Sequence, residues 1–180
     1  VEVKAARRAS FVLVALLAAG AARAETSQVS SGGFTVSHTL AVEADAERAW
    51  QAVTQPQRWW SSKHTWSGDA ANLSLDAQAG GCWCERRASG ASVMHGRVLM
   101  AQPGALLRLQ AWLGPLQELP AAGVLTLAVA RRDGLTQLRV SYRVAGGADA
   151  GLDRLAAPVD AVIGEQVRRL KRLIETGQPE

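Results

Sequence analysis

The run LDRLAAPVDAVIGEQVRRLKRLIETG, residues Leu152–Gly177, decides how the rest of the chain is read. Its apolar residues fall at 152, 155, 159, 162, 163, 167, 170, 173 and 174, a spacing of three and four that paints one stripe along a helix. The opposite face carries charge, from Asp153 and Arg154 through Glu165, Arg168 and Arg169 to Arg172 and Glu175. Wholly helical, the run would be about 37 Å long. Pro158 either kinks it or begins its main part, so Leu152–Ala157 is expected as a separate, movable piece and Pro158–Thr176 as the firm helix; Gly177 is a suitable terminator. Most of the preceding sequence reads as strand, which makes this helix the object a sheet would wrap.

Working back, Phe34–Val42 alternates apolar and polar residues as a half-buried strand, with His38 on the apolar parity and expected as a core histidine satisfied by one hydrogen bond. Asp45 is a suitable N-cap for a short helix presenting Ala46, Ala49, Trp50 and Val53, and Pro56 opens a second one ending in Trp59-Trp60. Further strands are predicted at Leu73–Ala77, Cys82–Arg87, Ser92–Met100, Leu106–Leu113, Gly123–Arg131 and Thr136–Val144. Breaks at Gly80-Gly81, Ser89-Gly90, Pro103-Gly104 and Asp133-Gly134 separate them. The sum is an α+β chain with a curved antiparallel sheet of about seven strands.

The N-terminal residues read differently. Lys4, Arg7 and Arg8 precede the apolar run Phe11–Ala19, and Ala22-Arg23-Ala24 supplies a small-x-small triplet. That layout predicts a cleavable signal peptide over residues 1–24, with cleavage between Ala24 and Glu25 and a periplasmic or secreted product. The apolar run falls well short of the roughly 20 residues needed to span a bilayer, so no stable membrane anchor is expected after cleavage. Polar, glycine-ended 25–33 is expected as a flexible leader, 34–177 as one domain and 178–180 as a tail. Of 20 basic and 16 acidic residues, four and one respectively lie before Glu25, leaving 16 against 15. Three of the four formal positive charges thus reside in residues 1–24, and no basic tract supports nucleic-acid binding.

Two stretches could carry chemistry. Cys82-Trp83-Cys84 invites a disulfide in an exported chain, but residues two apart in an extended strand lie about 6.5–7 Å apart with parallel side chains, which argues against it. A metal reading would need His95, Met94 or Met100 from the next strand. Which sheet face the two sulfurs share depends on the hairpin register, and free thiols are the expected state, with no metal. Trp59, Trp60 and Trp66 could rim an apolar pocket or simply pack. Glu85, on the inward parity with Trp83, is the one candidate acid–base residue, since burial would raise its pKa; alternatively it finds a partner such as an arginine. Tyr142 could anchor a ligand or fill the core. No Gly-x-Ser-x-Gly, His-Glu-x-x-His or phosphate-cradling loop is present.

The strand running into Ala44-Asp45-Ala46-Glu47-Arg48-Ala49-Trp50, Pro56 with Trp59-Trp60, Gly80-Gly81, Gly96-Arg97-Val98, Pro103 with Leu106–Leu109, and the Leu152–Gly177 helix occur in an order and spacing that resemble the START-like superfamily, SRPBCC, with the helix-grip fold. That superfamily includes birch-pollen allergen, polyketide cyclases/dehydratases and ATPase activators of the ninety-kilodalton heat-shock chaperone. The likeness covers about Phe34–Gly177. It implies a strand, two short helices, six more strands and a long helix across the concave sheet, with a hydrophobic cavity between. It carries over no catalytic residue, and the export signal argues against the chaperone-activator role. The resulting expectation is an exported domain that binds an apolar small molecule or lipid without a cofactor or catalysis, its cavity lined by Trp59, Trp60, Trp83, Leu109, Leu127, Tyr142, Val159 and Ile163. The alternatives are a cyclase- or dehydratase-like enzyme using Glu85, with Tyr142 or His64, and an envelope protein-interaction module.

Overall fold

The computed structural model describes Arg23–Glu180. The expected export segment lies outside the described residues except for Arg23 and Ala24. Eight strands follow in chain order: β1 (Arg23–Ser30), β2 (Gly33–Val42), β3 (Leu73–Leu75), β4 (Cys82–Arg86), β5 (Ser92–Gln102), β6 (Leu106–Ala111), β7 (Ala121–Arg132) and β8 (Leu135–Gly146). They form one antiparallel sheet in the order β1-β2-β8-β7-β6-β5-β4-β3. Helix α1 (Ala46–Val53) and three 3-10 turns lie between β2 and β3, a fourth 3-10 turn (Gly114–Glu118) joins β6 to β7, and helix α2 (Asp153–Thr176) closes the chain. The architecture is α+β, an open curved sheet gripping a long C-terminal helix. Among the described residues no helix is long and apolar enough to cross a membrane.

The strand beyond the seven expected is β1, which covers most of the segment expected as a flexible leader. Its polar sequence has no apolar alternation, and nearly all of it is exposed. It is extended because β2 offers a free edge: Ala24 pairs with His38 and Thr26 with Val36, and Thr35 Oγ1 bonds Gln28 Oε1 at 3.0 Å. The hairpin is tied to the helix as well, since Ser31 O accepts the Leu152 amide at 2.9 Å.

Helix α2 is continuous through Pro158, which corrects the expected division into two pieces. Proline here forfeits one backbone hydrogen bond near the start of the helix. The first turns are held by burial instead, Leu152 being fully buried and Ala156 nearly so. Ile163, Val167, Leu170 and Ile174 face the sheet, meeting residues such as Phe34, Leu125, Leu138 and Val140 in one core. Polar contacts fix the rotation of the helix: His38 Nε2 meets Asp160 Oδ1 at 2.8 Å, Lys171 Nζ donates to Ala41 O at 2.8 Å, and Glu175 Oε1 accepts the Glu43 amide at 2.9 Å.

Strand β5 departs from simple alternation twice. Trp83 pairs with Gly96 but Cys84 with Met94, leaving His95 as an extra residue; a second slip lies between Val98 and Met100. The bulges settle the register that the sequence left open, and break its alternation, so Met94 and Met100 are exposed while His95 is buried. At the first slip β4 contracts, bringing the Cα atoms of Cys82 and Cys84 to 5.4 Å, and the two are joined by a disulfide. This corrects the expectation of free thiols, because the distance now falls within the roughly 4.4–6.8 Å that a bridge spans. Cross-strand pairing puts Cys82 beside Arg97 and Cys84 beside Met94.

On the concave face, Tyr142 is fully buried and donates its hydroxyl proton to Ala111 O at 3.0 Å. Gly123, its neighbour in the sheet, leaves room for the ring: a Cβ there would lie 2.4 Å from Tyr142 Cε2 and 2.7 Å from Ala111 O. Gly123→Ala is therefore expected to destabilise the fold by about 1–3 kcal/mol through overpacking, read as a lower urea midpoint. A midpoint equal to that of the parent would disprove the steric role.

Candidate functional site

The loop after α1 carries the tryptophans, and helix α2 holds it by residues within little more than one turn. Arg169 Nε donates to Trp59 O at 2.8 Å, Gln166 Oε1 accepts the Ser61 amide at 2.7 Å, and Glu165 Oε2 pairs with His64 Nε2 at 3.1 Å. The indole N–H groups are also engaged, Trp59 with Ala52 O at 3.0 Å and Trp60 with His64 O at 2.9 Å. The rings consequently point inward. Trp59 and Trp60 meet edge-on with centroids 5.5 Å apart, Trp60 and Trp83 at 4.9 Å, and Trp83 leans on His95 at 5.7 Å.

This aromatic chain fills the space between helix and sheet. Two voids of about 10 Å³ remain there, one bordered by Trp59, Trp60, Leu127 and Ile163, the other by Trp59, Trp83, Leu109 and Leu127. Each is the size of a single water (about 10–15 Å³). The substantial pocket, about 300 Å³, lies at the end of the grip. One wall is Trp60 and Lys63–Trp66, a second is Leu113–Pro115, and the third is the α2 face formed by Leu155, Pro158, Val159, Val162 and Ile163. Of the residues expected from sequence, Trp60, Val159 and Ile163 line this pocket. Trp59, Trp83, Leu109 and Leu127 border only the inner voids, and Tyr142 borders none of the three.

Leu155 and Val162 were legible as members of the same helical stripe as Val159, displaced from it by four and three residues. Lys63, Thr65 and Leu113–Pro115 carried no comparable signal, because a loop acquires its wall position only through tertiary placement.

Glu85 is buried, as its parity suggested, but it does not line the pocket. Its carboxylate accepts the Trp66 amide at 3.1 Å, the Ser67 amide, and the Nε2–H of His95 at 2.8 Å. Burial, the largest single influence, pushes its pKa up. The hydrogen bonds from Ser67, His95 and Trp66 together outweigh it, so the net shift is downward. This reverses the elevated pKa expected from burial alone, and the partner is an imidazole with two amides rather than an arginine. Tyr142 is shifted upward, chiefly by burial, with its ring packed in the core. Glu165, bonded to His64, has its pKa raised by desolvation but lowered further by His64, Ser61 and Arg169. His64 is thus an oriented imidazole on the pocket wall. Among the described residues no group of three or more His, Cys, Asp or Glu side chains is placed to hold a metal ion.

The fold has clear relatives among solved structures. CalU16 from Micromonospora echinospora superposes with a TM-score of 0.58 at 16% identity over 89% of this chain and 87% of its own. A conserved protein of unknown function from Enterococcus faecalis, EF2215, gives 0.58 at 12% identity over 86% and 78%. DynU16, from the dynemicin biosynthetic locus, gives 0.56 at 21% identity over 81% of this chain and 48% of its own. At these identities the likeness establishes the helix-grip fold. No family model and no curated protein sequence matches the chain.

The downward shift of Glu85 carries a sign. A carboxyl group whose folded pKa lies below its ordinary value of 4.5 contributes stability that is complete above that value and is lost as pH falls through the folded pKa. Glu85→Gln retains one acceptor oxygen and presents an NH₂ group to a buried donor. It should cost about 1–3 kcal/mol at pH 7 and flatten the loss of stability below pH 4.5. Urea titrations at several pH values measure both; an unchanged acid limb would show that Glu85 is not the titrating group.

Proposed function

We propose that this chain binds a small apolar molecule in the pocket between α2, the Trp60–Trp66 loop and Leu113–Pro115. The observation that carries the reading is the pocket itself, whose volume is at the lower end of ligand sites (about 300–1,000 Å³) and whose helix wall is entirely aliphatic. The α2 stripe supports it: Val159 and Val162 are only half-buried, while Ile163 and Val167 in the same stripe are packed against the sheet. Binding without catalysis is the preferred form. Glu85, the acid–base candidate from sequence, sits off the pocket with three donors around its carboxylate.

A second reading rests on His64. Its Nε2 is held by Glu165 while the ring borders the pocket, the arrangement a general acid–base imidazole needs. It would move a cyclase-like activity from Glu85 to His64.

Filling the pocket tests binding. Val162→Trp should abolish the fluorescence gain of the small neutral dye 4-(dimethylamino)benzonitrile while leaving far-ultraviolet circular dichroism unchanged. Equal dye uptake by parent and variant would place the binding site elsewhere.

Export is part of the same proposal. The basic start, apolar run and Ala22-Arg23-Ala24 triplet support it, as does a disulfide, which persists in oxidising compartments. Fractionation of the native host followed by N-terminal sequencing should give periplasmic or secreted protein beginning at Glu25. Retention in the cytoplasm with the leader intact would refute it.

A further inference from the structure

The walls of the pocket are unequal. Among its thirteen lining residues, Lys63, His64 and Thr65 are the ones with cationic or hydroxyl-bearing side chains; they are consecutive, and no carboxylate lines the site. Thr65 Oγ1 already donates to Ser62 O at 2.8 Å, and His64 Nε2 is committed to Glu165. Lys63 is exposed, and among the described residues it enters no ion pair and no side-chain hydrogen bond. The neighbouring carboxylates are otherwise engaged, Glu165 by His64 and Glu180 by Arg169 Nη1 at 2.6 Å. One positive charge without a direct ion-pair partner, with the Glu180 carboxylate near enough to feel it but bonded to Arg169, thus stands at the rim of a largely apolar pocket.

Capacity narrows the choice further. The pocket's volume of about 300 Å³ lies at the bottom of the range for small-molecule sites (about 300–1,000 Å³). That is several times too small for a lipid with two acyl chains.

Building on the pocket-binding proposal, we infer that the occupant is a short amphiphile with a single carboxylate. Its aliphatic or aromatic body lies on Leu155, Val159 and Val162, and its carboxylate meets the Lys63 ammonium. A monoanion matches the single cation outside an ion pair, because His64 is engaged by Glu165. Trp60 and Trp66 form the sides of the slot, and Trp66 is 51% exposed, so an occupant would cover it.

Octanoate, octan-1-ol and octylamine share one chain length and differ in head group. Titrated into the mature chain and followed by tryptophan emission and calorimetry, octanoate should bind about fivefold more tightly than octan-1-ol, with octylamine weakest. Lys63→Met should reduce octanoate to the affinity of octan-1-ol and leave octan-1-ol unchanged; Lys63 is exposed, so the variant should fold. Equal binding of octan-1-ol and octanoate by the parent, or preference for octylamine, would overturn the carboxylate assignment while leaving the pocket as a binding site. Tighter binding of palmitate than of octanoate would overturn the size limit. If none of the three eight-carbon probes binds, the pocket reading itself falls, and this inference with it.

Discussion

The segment from Trp59 to Ser67 is gripped from two sides, and the interior of the molecule depends on that grip. From the helix come Arg169, Gln166 and Glu165, engaging Trp59 O, the Ser61 amide and His64. From the sheet comes the carboxylate of Glu85, which takes the Trp66 and Ser67 amides together with His95. Burying a carboxylate is costly unless its lone pairs are filled. Three donors fill them here, and the downward pKa shift shows which side of that balance prevails. Removing any one donor leaves the desolvation cost in place with less to offset it.

Because this loop is fixed at both ends, its indoles have few places to go. They occupy the region where a helix-grip fold has room for a cavity, and the remaining space appears at the end of the grip instead. The rotation of α2 selects the lining. With Asp160 on His38 and Lys171 on Ala41 O, residues 159 and 162 turn toward the loop while 163, 167 and 170 turn toward the sheet. Gly164 permits the close seating: a Cβ there would stand 2.9 Å from His38 Cε1. The polar pins and the glycine thus act together on one quantity, the angular setting of a helix whose apolar stripe serves two different surfaces.

The long helix, the hairpin breaks and seven of the eight strand positions were readable because each carries a periodic or turn signal. Those signals are local and survive without knowledge of partners. Strand β1 was not readable, since a polar edge strand is extended only by virtue of its pairing with β2. The two slips in β5 escaped for a related reason: a bulge inverts every parity argument beyond it while leaving composition unchanged. The slips decide the outward methionines and the inward His95, which the sequence left open, and accompany the disulfide between Cys82 and Cys84 that it did not expect. The tryptophan cluster was visible in sequence, but whether indoles surround a space or fill it depends on side-chain geometry. Here Trp60 does both, bordering the pocket on one side and packing on Trp83 on the other.

That double role constrains the pocket. Trp60 is backed by Trp59 and Trp83, Trp83 rests on His95, and His95 is bonded to the carboxylate that also holds Trp66, another residue of the pocket wall. The circuit closes on itself through the protein interior, where the gaps are no larger than one water. A densely packed interior resists compression, so Trp60 cannot retreat to admit a bulkier guest without displacing its neighbours. The helix wall is equally constrained, being tied to β2 and to the β1–β2 turn. The Leu113–Pro115 wall, in which Leu113 packs on the core, and half-exposed Trp66 complete the pocket. For the occupant proposed above, size selection therefore originates in the packing behind Trp60, and head-group selection in the exposed residues beside it.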